Sequence, residues 1–134
     1  MKRVILCVLV AVGVIAGSAN ASGTNVSASV DSIATVTGSH VVVFDFDLYN
    51  CPAGEQMVIV DWTATQPQRP DSGAATAGVP YGASNGEPVQ HLTLDIASSS
   101  FLAGDRWTGS GDIACGAVVI PVAGSGQTKS LNGL

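Results

Sequence analysis

Basic residues are scarce in this chain of 134 residues. It contains five Lys and Arg against ten Asp and Glu, which gives a formal net charge of −5. Binding to nucleic acid and to anionic lipid depends on clustered Lys and Arg, so the composition argues against both kinds of partner. The acidity is typical of a soluble exported protein that its own charge keeps dispersed.

Helical periodicity, internal repeats and close cysteine pairs are also missing. The three cysteines form no C-x-x-C pair, and neither His40 nor His91 lies at a zinc-ligand spacing from a cysteine. We therefore expect no metal site and no cofactor. The absence of a helical period predicts a chain of strands and turns.

The first 21 residues have the pattern of a secretory signal peptide. Lys2 and Arg3 precede an apolar run over residues 4–16, and Ala19-Asn20-Ala21 matches a small-x-small cleavage site. The run is short for a membrane span of about 20 residues. We expect cleavage after Ala21, no stable membrane insertion afterwards, and a protein that is secreted or retained at the cell wall.

Cleavage would leave two cysteines, Cys51 and Cys115, and a net charge of 3 − 10 = −7. An even pair of cysteines in an exported chain most simply forms a disulfide. Free thiols, or a catalytic or metal-binding cysteine, remain alternatives at this stage. A bridge would close a loop of about 65 residues, for which the chain-entropy model gives a stabilisation of roughly 4 kcal/mol.

Two segments in the middle of the chain alternate with the period of a β-strand. Within residues 40–50 the apolar face comprises Val42, Phe44, Phe46 and Leu48. Residues 51–54, Cys-Pro-Ala-Gly, predict a turn. In the run that follows, the shared face comprises Val58, Val60, Trp62 and Ala64. We expect the two runs to pair as a hairpin.

The remaining segments continue the β pattern. Residues 25–37 predict one or two edge strands, residues 89–96 a further strand, and residues 108–122 a final strand or strand pair. Between them, residues 67–88 are rich in Pro and Gly and predict a long loop, with a short strand near residues 79–81.

The expected fold is all-β, a two-sheet antiparallel sandwich over residues 22–122. The Gly- and Ser-rich segment over residues 123–134 is expected to be a flexible tail.

The order Cys51, Trp62, Cys115 resembles that of an immunoglobulin-type domain. The run into the second cysteine, Gly-Ser-Gly-Asp-Ile-Ala-Cys, is similar to that family's as well. The resemblance implies a sandwich in which the bridge joins the two sheets and the tryptophan packs against it. It implies no particular function.

A second resemblance is more local. The strand ending in Cys-Pro-Ala-Gly, the V-x-V-x-W-T-A-T-Q segment and the late F-L-A-G-D turn resemble small exported β-proteins of actinobacteria. The chain is also similar, in size, acidity and export, to the enediyne-antibiotic carrier proteins.

Asp45 and Asp47 are the acidic pair that could carry chemistry. On a strand they would share a face about 7 Å apart, and Asp61 could lie across the hairpin from them. Such a group could bind a cation or a polar ligand, or act as the two carboxylates of an inverting hydrolase. A solvated outer face is the simpler alternative.

The loops offer a different candidate surface. Trp107 lies beside Arg106 in a segment predicted to turn, and an aromatic residue with an arginine is typical of contact patches. Tyr81 is a third candidate ligand contact.

We therefore expect a secreted, non-catalytic binding module whose partner is a protein, a glycan or a small molecule. The alternatives are a carrier of a small hydrophobic ligand and a small hydrolase that uses Asp45 and Asp47. The sequence predicts no oligomeric state.

Overall fold

The computed structural model describes residues 25–38, 40–69 and 73–131. Within them the chain forms eight β-strands and no helix, and so no helical membrane span. The strands are β1 (Ser27–Val30), β2 (Ile33–Val36), β3 (Val41–Tyr49), β4 (Gln56–Thr65), β5 (Ala74–Ala83), β6 (Val89–Ala97), β7 (Arg106–Cys115) and β8 (Val118–Ser130). The all-β prediction is confirmed, whereas the predicted signal peptide lies outside the described residues.

Backbone hydrogen bonds connect all eight strands. The main path runs β1–β3–β2–β8–β7–β4–β5, and β6 pairs with the remaining edge of β3. Every pairing is antiparallel except that of β2 with β8, which is parallel. β2 pairs with β3 through two residue pairs, while its other edge follows β8. The strands thus form two groups, β1–β3–β6 and β8–β7–β4–β5, which β2 joins.

β3 has the inner face that the sequence predicts. Val42, Phe44, Phe46 and Leu48 are all buried. The alternation is clean because β3 is paired on both edges and packs only one face against the core.

The predicted hairpin between residues 40–50 and 55–66 is wrong. β3 pairs with β1, β2 and β6, whereas β4 pairs with β5 and β7. The turn between them, with Gly54 at φ 90°, carries the chain from one group of strands to the other. A Pro-Gly turn reverses the chain in both arrangements, so the turn alone does not determine which strands pair.

The prediction that Val58 and Val60 share a face of β4 with Trp62 and Ala64 is wrong. The buried side chains are those of Met57, Ile59, Trp62 and Ala64. The pairing with β7 shifts register between Ile59 and Asp61, so Val60 is an extra residue on β4. A bulge of this kind changes which side of the strand the following residues face. The strict period of two therefore fails at Val60.

The segment predicted as a flexible tail is largely a strand. β8 continues to Ser130, pairing with β7 as far as Gln127 and with β2 from Gln127 to Ser130. The next two inward positions after Val122 are Gly124 and Gly126, which hide the alternation because glycine has no side chain to reveal a face. The predicted loop over residues 67–88 likewise contains a full strand, β5.

Cys51 and Cys115 form the expected disulfide. The two residues have Cα atoms 5.9 Å apart, and both are buried. Cys51 follows the end of β3 and Cys115 ends β7, so the bridge ties the two groups of strands together. The free-thiol, metal-binding and catalytic alternatives for these cysteines do not apply.

Five aromatic rings form the centre of the core. Phe44 of β3 lies 5.4 Å from Trp62 of β4 and 5.1 Å from Trp107 of β7, measured between ring centroids, in edge-to-face arrangements. Phe46 and Phe101 complete the cluster. Since β3 is paired with neither β4 nor β7, these contacts join side chains from the two groups of strands.

Glycine leaves the room that the indoles need. A Cβ atom on Gly109 would lie 2.5 Å from Cζ2 of Trp62, closer than two carbon atoms can approach. Gly109 pairs with Gly124 of β8, which has Trp107 beside it. The glycines of β7 and β8 therefore belong to the core packing.

Candidate ligand-binding face

Trp107, one of the three predicted ligand contacts, is not at the surface. β7 begins at Arg106, so Trp107 points inward and is fully buried. Its Nε1–H donates a hydrogen bond of 3.2 Å to the carbonyl of Ser32. The prediction is wrong because the strand starts before the tryptophan, not after it, and alternation then places the indole in the core.

Tyr81 and Arg106 lie at opposite ends of the sheet. The Tyr81 hydroxyl donates to the carbonyl of Thr93 at 2.8 Å and accepts from its N–H, so it ties β5 to β6. This part of β5 aligns with Met57, whose partner on β7 is Cys115. Arg106 is nine residues away along β7, about 30 Å at strand geometry. The two predicted contacts therefore do not form one site.

Arg106 instead lies at one end of a polar surface, which we call the β7 face. It consists of the outward side chains of β7 and of their cross-strand neighbours on β4 and β8. On β7 itself these are Arg106, Thr108, Ser110 and Asp112. The face runs for about 20 Å from Arg106 to Asp112. Two shallow grooves of about 310 and 520 Å³ follow one another along it.

The groove at the basic end is lined by hydrogen-bonding side chains. Arg106 lies opposite Gln127, and Thr108 lies opposite Ser125. All four side chains are exposed, and Pro67 forms one wall of the groove. The groove therefore offers a guanidinium fork, an amide and two hydroxyls on one surface.

Among the described residues, no carboxylate forms an ion pair with Arg106. In the part of the chain that the structure describes, the ion pair present joins Asp47 to His91, far from this groove in the strand order. Lys129 lies on the same side of β8, two residues from Gln127, and it also has no acidic partner among the described residues. The basic end therefore carries two positive charges that are open to an anionic ligand.

A buried hydrogen-bond network holds the turn in front of Arg106. The side-chain amide of Gln66 donates to the carbonyl of Leu102 at 2.8 Å and accepts from its N–H at 2.9 Å. The Thr128 hydroxyl lies 2.6 Å from the Leu102 carbonyl and 2.8 Å from that of Asp105. Gln66 and Thr128 are both buried. Such a network fixes the backbone from which the Arg106 side chain projects.

The acidic end of the β7 face is a pair of aspartates. Asp61 of β4 lies directly opposite Asp112 of β7, and Thr63 and Ser110 are the next pair along. The extra residue at Val60 sets this register. Burial, then the charge of Asp61 and a hydrogen bond with it, raises the pKa of Asp112. The nearby acidic side chain and the partial burial both disfavour the charged form of Asp112.

The predicted acidic group of Asp45, Asp47 and Asp61 is divided by the fold. Asp45 accepts a hydrogen bond of 3.1 Å from the Thr93 hydroxyl, and Asp47 lies 2.6 Å from Nδ1 of His91. Both belong to the β3–β6 pair, whereas Asp61 lies on β4, which β3 does not contact through backbone pairing. Among the described residues no group of three or more His, Cys, Asp and Glu is arranged to hold a metal ion.

Sequence reasoning missed most of the β7 face. Asp112 falls in the predicted final strand, on the run toward Cys115, but the bulge that brings it opposite Asp61 leaves no signal in the residue types. Ser125, Gln127 and Lys129 were hidden in the segment predicted as a tail. The alternation of polar residues with inward glycines in G-S-G-Q-T-K is the signal that could have revealed them.

No known family model matches this chain, and no curated protein is similar to it.

Proposed function

We propose that this protein is an exported, non-catalytic binding module and that the β7 face is its binding surface. The guanidinium of Arg106, which has no carboxylate partner among the described residues and lies in a polar groove beside a buried network, is the observation that carries the proposal. Arginine is favoured where planar anionic groups are recognised, because its fork can bind them with two parallel hydrogen bonds. Export is supported by the disulfide, which is typical of oxidising compartments.

The proposed scaffold is an immunoglobulin-like sandwich in which β1–β3–β6 faces β8–β7–β4–β5. Three contacts between the groups support it: the ring cluster, the disulfide, and Val30 of β1, which lies against the space left by Gly124 of β8. The pairing of successive strands also supports it. β1 pairs with β3, whereas the next strand, β2, pairs along its length with β8, as expected for a chain that leaves one sheet and enters the other. In such a scaffold the β7 face is the outer surface of one sheet.

The direct test is capture of a partner by immobilised protein. The wild type should retain a component of its producer's surface or medium, and Arg106→Gln should lose it. Gln56→Glu is the matched control, because it also lowers the net charge by one unit, but at an exposed position near the Cys115 end of β7. Equal retention by wild type and Arg106→Gln would reject the β7 face as the binding surface.

One observation favours the alternative of a carrier for a small hydrophobic ligand. Among the described residues, Nε1 of Trp62 is a buried polar atom without a hydrogen-bond partner. A buried N–H without an acceptor is costly, and a ligand or a water molecule inside the core would supply one. A native mass spectrum of producer-derived protein tests this: a persistent adduct favours the carrier, and bare protein disfavours it.

The hydrolase alternative has weaker support. Asp45 and Asp47 each have a hydrogen-bonded partner on β6, an arrangement that stabilises a strand pair without any catalytic role. A hydrolase would lose turnover on Asp45→Asn or Asp47→Asn, while the binding module would keep its affinity.

A further inference from the structure

We infer that the ligand of the β7 face is an extended saccharide that carries an acidic group, either a carboxylate or a phosphate. This inference rests on the proposed function and adds the chemical class of the partner. It follows from three properties of the face: its length, the kind of groups that line it, and the distribution of its charge.

The length and shape of the face fit an extended chain. The two grooves lie on the same side of β7. Ser110 lines the groove at the acidic end, and Thr108, two residues away on the same side of the strand, lines the groove at the basic end. Together they cover the distance of about 20 Å between Asp112 and Arg106. A compact ligand would occupy only one groove, whereas a chain of sugar units can follow both.

The groups along the face suit sugar hydroxyls. Between the charged ends, Thr63 and Ser110 are paired across β4 and β7, and Thr108 and Ser125 are paired across β7 and β8. A hydroxyl both donates and accepts hydrogen bonds, so a row of hydroxyls matches a ligand that has the same capacity at each unit. Large exposed apolar side chains, which would indicate a protein partner, do not line either groove.

The charge distribution selects one acidic group at one end. Arg106 can bind a carboxylate or a phosphate with two hydrogen bonds, and Lys129 adds a second positive charge nearby. At the far end, Asp61 and Asp112 can accept hydrogen bonds from neutral hydroxyls but would repel further anionic groups. A densely charged polyanion is therefore a poor fit, and a saccharide with sparse charge is a good one.

The test is an NMR titration of the purified, ¹⁵N-labelled protein with defined probes. A maltotriose derivative with one glucuronate unit supplies the carboxylate, singly phosphorylated maltotriose supplies the phosphate, and unmodified maltotriose is the neutral control. We expect at least one acidic probe to shift the Arg106 Nε–H and the amides of Thr108 and Ser125, and to bind about tenfold or more tightly than the neutral probe. The acidic probe that binds shows whether the recognised group is a carboxylate or a phosphate.

The variants locate the interaction. Arg106→Gln should reduce the affinity for the acidic probe to that of maltotriose, while Gln56→Glu should leave it unchanged. Equal binding of acidic and neutral saccharides by the wild type would overturn the inference, as would shifts confined to the side that carries Asp45 and His91. Equally tight binding of oligoglutamate would replace the saccharide with an acidic peptide and overturn it as well.

Failure of this inference is distinguishable from failure of the proposed function. If no acidic saccharide binds but the captured partner still depends on Arg106, the saccharide is wrong and the binding module stands. If the captured partner is also indifferent to Arg106→Gln, both proposals fail.

Discussion

Removal of the disulfide should reduce the stability of this fold by about half. Replacing Cys51 and Cys115 by Ala deletes a link between residues 64 apart in sequence, and the chain-entropy relation gives a loss of about 4 kcal/mol. Both side chains are buried, so each truncation adds a packing loss of about 1 kcal/mol. Domains of this size are stable by about 5–15 kcal/mol, so the double variant should be marginally folded.

The assay is urea unfolding followed by tryptophan fluorescence. Trp62 and Trp107 are both fully buried, so their emission reports the opening of the core directly. We expect a lower midpoint and a larger m-value, because the unfolded chain without the bridge exposes more surface. If the variant is unfolded without urea, titration with a stabilising osmolyte recovers its folding free energy. A loss below about 1 kcal/mol would refute the view that the bridge constrains this fold.

Three further outcomes are expected from single substitutions. Gly109→Val should destabilise the protein by about 1–3 kcal/mol in the same urea assay, because its side chain would overlap Trp62. Thr128→Val should cost about 1–3 kcal/mol, because it removes the hydroxyl that accepts from the Asp105 N–H and from the side-chain amide of the buried Gln66. Asp112→Asn should make the melting temperature less dependent on pH.

The direction of the pH effect follows from the raised pKa of Asp112, whose ordinary value is 3.8. A carboxyl that binds its proton more tightly in the folded state destabilises the fold as pH rises from about 4 through the raised pKa. Melting temperatures measured between pH 3 and pH 7 should therefore fall more in the wild type than in Asp112→Asn. Parallel profiles would show that the carboxyl of Asp112 does not bind its proton more tightly in the folded state.

The other two substitutions have matched controls. Ser110→Val adds the same kind of side chain as Gly109→Val, but at an exposed position of the same strand, and should change stability little. Thr108→Val removes an exposed hydroxyl in place of the buried hydroxyl of Thr128. If Ser110→Val destabilises the protein as much as Gly109→Val, overlap with the indole of Trp62 is not the cause. If Thr108→Val destabilises it as much as Thr128→Val, loss of the buried hydrogen bonds is not the cause.

Segments with an uninterrupted alternation could be predicted from the sequence. β3 has four buried apolar residues at a strict spacing of two, and β6 has Leu92, Leu94 and Ile96 buried in the same way. The pairing between β3 and β6 contains no bulge. Where local geometry is regular, the residue types alone determine the inner face.

The rest of the fold depends on contacts between residues distant in sequence. Val60 is an extra residue only with respect to β7, so β4 by itself gives no reason to expect a bulge. The inward glycines of β8 are required by residues outside the strand, since a Cβ atom would overlap Val30 at Gly124 and the Ser32 carbonyl at Gly126. The short turn between β3 and β4 is compatible with a hairpin and with strands that do not pair, so it does not predict which strands are neighbours. The bulge and the inward glycines both lie along the candidate face, and for this reason only Arg106 and Asp61 of it could be predicted.

Export with formation of the bridge is the claim on which the proposed function depends, and the intact mass of the protein from its producer's culture medium tests it most directly. We expect the mass of residues 22–134 less two hydrogens, because export would remove the predicted signal peptide and Cys51 is joined to Cys115. A mass that retains residues 1–21, or one that shows two free thiols, would contradict it.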